Sequence, residues 1–176
     1  MANREALREL QSRLASRLQM ARTEGIQASW LAVEAAGTKY LFPLTQSGEI
    51  FPFSSAQPVP YTQAWFLGVA NLRGGLYGVV DMASFVAGSA PAVRSDATRA
   101  ESRLVALNAT LEVNCALLID RLAGLRNMDA FESSAAPPAG SPSYFGSGYT
   151  DTSGAFWQEI NLQTLSQQPQ FLSISA

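Results

Sequence analysis

Asn71, Arg73 and Asp81 bring an amide, a guanidinium and a carboxylate into an otherwise apolar stretch, Ala64–Val86 (AWFLGVANLRGGLYGVVDMASFV). In such a setting Asn71 suits a turn cap, Arg73 a hairpin tip and Asp81 a strand end. A guanidinium at a tip can also give several directed hydrogen bonds to carboxylates or backbone carbonyls, which is the chemistry of recognition. Catalysis has no comparable footing. The chain has no histidine, which removes the usual general base, proton shuttle and metal ligand. Its single cysteine, Cys115, excludes an internal disulfide and a multi-cysteine zinc site, and its place in the run Val113–Ile119 reads as a buried thiol. Glu34, Asp81, Glu112, Asp120 and Glu159 each fall in or beside a different expected strand, so no carboxylate pair is singled out. No Gly-x-Ser-x-Gly occurs, and Gly37-Thr38-Lys39 lacks the upstream glycine and strand-to-helix setting of a phosphate loop. No enzyme activity, cofactor or metal is expected.

The elements that must position Arg73 follow from periodicity. Trp65–Leu72 and Leu76–Met82, joined by Arg73-Gly74-Gly75, read as a hairpin buried on at least one face. Upstream, Trp30–Glu34 and Lys39–Leu44 flank Ala35-Ala36-Gly37-Thr38 as a second hairpin. Gly48–Phe53 gives a short strand carrying Glu49, and Gln57–Tyr61 is extended. Downstream, Ala87–Glu101 reads as an exposed connector, Arg103–Leu107 and Glu112–Ile119 as a strand pair, and Asp120–Leu125 as a third strand. This unit matches the one at Trp30 weakly, with an offset of about 73 residues that pairs Leu31 with Leu104 and Val33 with Ala106. Two similar strand units suggest two small barrels sharing a core. Glu132–Ser143 is a low-complexity loop, and Tyr144–Thr150 and Ala155–Ile160 are strands. Asn161 caps a short helix over Leu162–Gln167, and Phe171–Ile174 alternates like an edge strand. At the other end, Ala2 to about Glu24 reads as an amphipathic helix with Leu7, Leu10, Leu14 and Leu18 on one stripe, which needs something to dock on.

The string Gly68-Val69-Ala70-Asn71-Leu72-Arg73-Gly74, followed by Val79-Val80-Asp81-Met82, resembles the signature of the CheW family of chemotaxis coupling proteins. There a Gly-x-x-Asn-x-Arg-Gly string precedes a strand ending in Asp-Leu. Here Gly78 stands where Pro is usual and Met82 where Leu is usual, and neither change removes a charged or turn-forming group. The resemblance covers about Ala28 to Ile174. It implies a mainly β fold of two packed five-stranded SH3-like barrels, with an N-terminal amphipathic helix (1–24) ahead of the CheW-like domain (25–176) and a short C-terminal helix. It further implies a non-catalytic adaptor joining the cytoplasmic tip of a methyl-accepting chemoreceptor to the regulatory domain of a CheA-type histidine kinase. Carried over by motif, Asn71, Arg73 and Gly74 lie at or near the receptor-facing side, and Gly68 and Glu49 near partner-binding surface. The helical extension, the long Ala/Pro/Gly/Ser loop and the Ala-rich first barrel look most like the PilI-type adaptor of type IV pilus (twitching motility) systems. An adaptor of another chemosensory array, or a small-barrel nucleic-acid binder, is the alternative.

Composition agrees with an adaptor. A net charge of −2 and 15% charged residues argue against nucleic acid or an anionic membrane as partner, and Tyr40, Phe42, Phe51, Phe53 and Trp65 have no basic stripe beside them. No signal-peptide or membrane-spanning pattern occurs, so the expected location is the cytoplasm, at receptor arrays, without membrane insertion.

Overall fold

The computed structural model describes Glu5, residues 8–16 and residues 29–176. Residues 8–16 are helical (α1), with Leu10 and Leu14 exposed; Leu7, Leu18 and the expected helix ends lie outside the described residues. The rest is mainly β. The elements are β1 (Trp30–Ala35), β2 (Thr38–Pro43), β3 (Ser47–Pro52), β4 (Phe66–Leu72), β5 (Gly75–Asp81), α2 (Met82–Ala87) and α3 (Asp96–Glu101). They continue as β6 (Arg103–Leu107), β7 (Cys115–Ile119), β8 (Arg121–Arg126), β9 (Phe131–Ala135), β10 (Phe145–Asp151), β11 (Phe156–Ile160), α4 (Leu162–Ser166) and α5 (Pro169–Leu172).

One sheet runs β8-β1-β2-β11-β10-β9 and the other β3-β6-β7-β5-β4. The two orders are the same pattern applied twice. Each central hairpin, β1–β2 or β6–β7, pairs parallel with the last strand of another hairpin, through β2–β11 in one sheet and β5–β7 in the other. Each central hairpin then sends its third strand across to its counterpart, so β3 pairs with β6 and β8 with β1. The expected third strand after β7 therefore exists but belongs to the opposite sheet.

Side-chain alternation explains why the central strands are apolar throughout. Leu31, Val33, Tyr40, Phe42, Val105, Leu107, Cys115, Leu117 and Ile119 point into a core shared by both sheets. Their neighbours point the other way. Trp30, Ala32, Leu41 and Trp157 fill the first barrel, and Phe51, Val79, Leu104, Ala106, Ala116 and Leu118 the second. The shared core corrects the repeat. Leu31 and Val33 face it, whereas Leu104 and Ala106 face a barrel interior, so the matching residues on β6 are Val105 and Leu107. A slip of one residue reverses the face in a strand.

Four further expectations change. The connector after Val86 contains α3 and follows α2, both short helices whose N-termini are capped by Asp81 and Ser95. Part of the Glu132–Ser143 loop is β9, held by pairing to β10 rather than by its own composition. β7 starts at Cys115, because Ala109–Leu111 forms a 3-10 turn before it. The tail forms α5 instead of an edge strand: Pro169 sits in its first turn, where a missing N–H costs nothing, and Phe171 is buried in the shared core. Asn161 caps α4 as expected, accepting from the Thr164 N–H at 2.9 Å.

Candidate functional site

The β4–β5 hairpin positions Arg73. Leu72 pairs with Gly75, leaving Arg73-Gly74 as a two-residue loop with φ of +50° and +80°. Positive φ at both loop positions is the type I′ geometry that matches strand twist, and glycine takes the second position without strain. Arginine in the first does so at a cost of about 1 kcal/mol. Asn71 stabilises the loop, its Oδ1 accepting from the Gly74 N–H at 2.9 Å. The turn reading of Asn71 and Gly74 and the presentation of Arg73 are thus one device.

Glu49 comes from the far edge of the same sheet. The register between β3 and β6 shifts between Ser47 and Ile50, and a bulge there re-aims the side chain beside it. Arg73 Nη1 lies 2.7 Å from Glu49 Oε1, with the two side chains 77% and 44% exposed. Two residues chosen separately from the sequence therefore meet, across the seam where the sheet curls shut. Phe51 and Tyr77, with ring centroids 6.4 Å apart, span the same seam from inside. Glu49 is the one carboxylate that Arg73 contacts among the described residues, and most of the guanidinium surface faces outward.

Gly68 has a different place. It is buried, with φ +131°, and a Cβ there would stand 2.0 Å from the Gln57 carbonyl oxygen. The absent side chain lets Gln57 pair with Val69 through hydrogen bonds of 2.7 and 2.9 Å, which closes the barrel next to the Arg73 hairpin. Gly68 sets the geometry behind the exposed tip.

Asp81 does end β5, and it does more. It is fully buried; Oδ1 accepts from the Ser84 N–H at 2.9 Å, and Oδ2 lies 2.7 Å from Arg94 Nη1. Arg94 Nε donates to Asp120 Oδ1 at 2.6 Å, and Asp120 Oδ2 accepts from the Ala36 N–H at 2.8 Å. This chain of contacts ties the connector, the start of α2, the β7–β8 junction and the β1–β2 turn together. Burial alone would lower the Arg94 pKa, and the hydrogen bonds to Asp81 and Asp120 more than offset it, holding the guanidinium above its ordinary value. Beside the triad, Arg121 grips Glu34 with two hydrogen bonds and Lys39 adds a third, which holds that carboxyl below its usual range. Arg94 carries no mark of this role in the sequence, because its partners Asp81 and Asp120 lie 13 and 26 residues away.

The corresponding tip of the other barrel is closed. Asp151 accepts from the Ser153 hydroxyl and N–H, the Ala155 N–H and the Trp157 Nε1–H at 2.6 to 3.0 Å, so its carboxyl titrates well below the ordinary range. Stability from a depressed carboxyl is present above the unfolded pKa and is lost as pH falls through the folded one. Asp151 and Glu34 act with the same sign. Thermal melts from pH 7 to pH 3 are expected to show the melting temperature falling on acidification below pH ~4, with a shallower fall in Asp151→Asn. A parallel fall in both proteins would contradict this assignment. Burial pushes the Cys115 thiol up to about 12, which suits an inert core residue. Among the described residues there is no cluster of acidic or cysteine side chains with metal-ligand geometry.

No curated protein matches the chain. Among solved structures it is similar to the scaffolding protein TtCheW from Thermoanaerobacter tengcongensis, with a TM-score of 0.64 at 18% identity, covering 82% of this chain and 95% of that one. The family model for the CheW-like domain matches residues 29–170, which takes in both barrels, the Arg73 hairpin and Glu49. This chain belongs to the CheW-like domain family.

Proposed function

We propose that this chain is a non-catalytic chemosensory adaptor that couples a methyl-accepting chemoreceptor to the regulatory domain of a CheA-type histidine kinase, in a system that controls type IV pilus twitching motility. The observation that carries the reading is Arg73, an arginine held at positive φ, mostly exposed, and paired among the described residues with one carboxylate. Backbone strain persists where something over-determines it, and an outlier at an exposed tip points to function. Asn71 and Gly74 present the guanidinium, Glu49 steers it, and Gly68 shapes the barrel behind it. Binding at two surfaces of one rigid body then couples receptor state to kinase activity as a free energy between sites. The adaptor works in the cytoplasm at receptor arrays; among the described residues no helix is long and apolar enough to cross a membrane. The helix at residues 8–16 leaves Leu10 and Leu14 exposed, which supports a role for the N-terminal leucine stripe in choosing a partner.

The test separates strain from recognition. An exposed ion pair contributes roughly 0–1 kcal/mol to stability, and asparagine tolerates positive φ better than arginine. Arg73→Asn is therefore expected to melt at or above the wild-type temperature. It is also expected to bind the receptor fragment about tenfold more weakly, the scale of a lost charged hydrogen bond. Unchanged binding by a stable Arg73→Asn protein would count against the assignment.

A further inference from the structure

Each described strand belongs to one sheet or the other, so no strand holds the two barrels at a set angle. The shared apolar core presses them together, and apolar contact has no direction of its own. Packed layers joined in this way can slide over one another in small shear movements. Directional contacts between the barrels must therefore favour one arrangement over its neighbours.

Those contacts gather at the two places where the chain crosses between barrels. At the β2–β3 crossover they are neutral. The Asn108 N–H donates to the Gln46 carbonyl at 2.9 Å, and Gln46 Oε1 accepts from the Leu162 N–H at 2.7 Å. At the β7–β8 crossover they are ionic. Asp120 stands between the two strands and is tied to the first barrel twice. Its N–H donates to the Glu34 carbonyl at 2.9 Å, and its Oδ2 accepts from the Ala36 N–H. Arg94 lies on the second barrel, where it lines a cleft with Phe53, Leu67 and Leu118. Among the described residues, Arg94–Asp120 is the one ion pair that passes from barrel to barrel; every other lies within a barrel, its connector or α1. Arg94 also holds Asp81, the last residue of β5, whose other end begins at the Arg73 loop.

The guanidinium is a rigid planar fork, so it can satisfy two carboxylates only where both stand in fixed positions. With the Arg94 side chain 14% exposed, water is a poor substitute for either partner. A buried ion network adds little net stability over apolar residues of the same volume. What it adds is a requirement on geometry.

We infer that Arg94 is a positioning residue: by spanning Asp81 and Asp120 it fixes the angle between the barrels, and with it the direction in which the Arg73–Glu49 tip is presented. The fixed angle rests on these contacts alone. Its use in coupling rests on the adaptor reading above, because binding on one barrel biases the other only as far as the angle is held.

The experiment measures that angle in the full chain without partners. Spin labels are placed at Leu76→Cys on β5 and Ser134→Cys on β9, both exposed, while the native Cys115 is buried and stays unlabelled. Pulsed dipolar spectroscopy compares the wild-type background, Arg94→Lys, and the neutral triple variant Asp81→Asn/Arg94→Met/Asp120→Asn. The wild-type background is expected to give one narrow distance. The triple variant is expected to stay folded by circular dichroism and to give a distribution broadened or shifted by several ångströms. Arg94→Lys keeps the charge without the fork and is expected to fall between them. An unchanged distribution in the folded triple variant overturns the inference. If the triple variant does not fold, an unchanged distribution in Arg94→Lys overturns it instead.

Calorimetry then reads the coupling with a receptor cytoplasmic fragment and a CheA-type regulatory domain. Saturating receptor fragment is expected to raise the wild-type affinity for the kinase domain at least about fivefold. The triple variant is expected to bind each partner singly as wild type does and to lose that gain. A triple variant that keeps the gain overturns the role in coupling. Wild type that shows no gain overturns the adaptor reading, while the distance measurement still decides whether Arg94 fixes the angle.

Discussion

Arg94→Met is expected to lose about 3–5 kcal/mol of unfolding free energy, the usual cost of removing one partner from a buried charge network. What the variant leaves behind sets the size of that loss. Asp81 is fully buried and Asp120 mostly so, and without the guanidinium two carboxylates face each other across the junction of the sheets. Methionine fills similar volume, so the loss comes from charge rather than from a cavity. The triple variant Asp81→Asn/Arg94→Met/Asp120→Asn removes the uncompensated charge and is expected to recover much of the loss, because an asparagine oxygen can still cap Ser84 and accept from Ala36. Denaturant unfolding measures both. A loss below ~1 kcal/mol in Arg94→Met, within the range of an exposed pair, would mean that the triad does not hold the connector to the barrels.

Gly68→Ala is the second large effect. At φ +131° the backbone is in a region nearly confined to glycine, which costs an alanine about 1–3 kcal/mol. The added Cβ also falls 2.0 Å from the Gln57 carbonyl oxygen and 2.6 Å from its carbon, so the Gln57–Val69 pair must open. Two net hydrogen bonds add roughly 2 kcal/mol, giving a total of about 3–5 kcal/mol. Gly74→Ala is the control. Its φ is also positive, but nothing lies within 4 Å of the position, so only the backbone cost of about 1–2 kcal/mol applies. Equal losses in the two variants would show that the contact with Gln57 carries no weight.

Local chemistry made the Arg73 hairpin legible in the sequence: paired glycines, an asparagine two residues before the arginine, and apolar runs on either side. Its link to Glu49 was not legible, since it depends on a bulge in β3 and on the sheet curling until its edges meet. Asp81 could be read as a strand end but not as a buried partner of Arg94. Arg94 stands in a stretch of alanines and small polar residues with no periodicity, and only tertiary structure brings it to two carboxylates. The internal repeat shows in the sequence, but its face does not: Leu104 and Ala106 face a barrel interior, one residue out of step with Leu31 and Val33 in the shared core. In strands buried on both sides both faces are apolar, so alternation carries no mark of which face is which. β9 is not legible for a related reason: Ser133, Ser134 and Ala135 have no intrinsic strand signal, and pairing with β10 imposes the conformation. The exchange of β3 and β8 between sheets also lay beyond sequence, because short connections favour neighbours in the same sheet.

The coupling role is tested most directly by titrating the full chain, wild type and Arg73→Ala, into a receptor cytoplasmic fragment and into a CheA-type regulatory domain by calorimetry. Wild type is expected to bind both in the micromolar range, about −8 kcal/mol. Arg73→Ala is expected to weaken the receptor titration about tenfold while its melting temperature stays near wild type. Wild type binding neither partner at low and moderate salt, or a folded Arg73→Ala protein binding both as tightly as wild type, would contradict the coupling role.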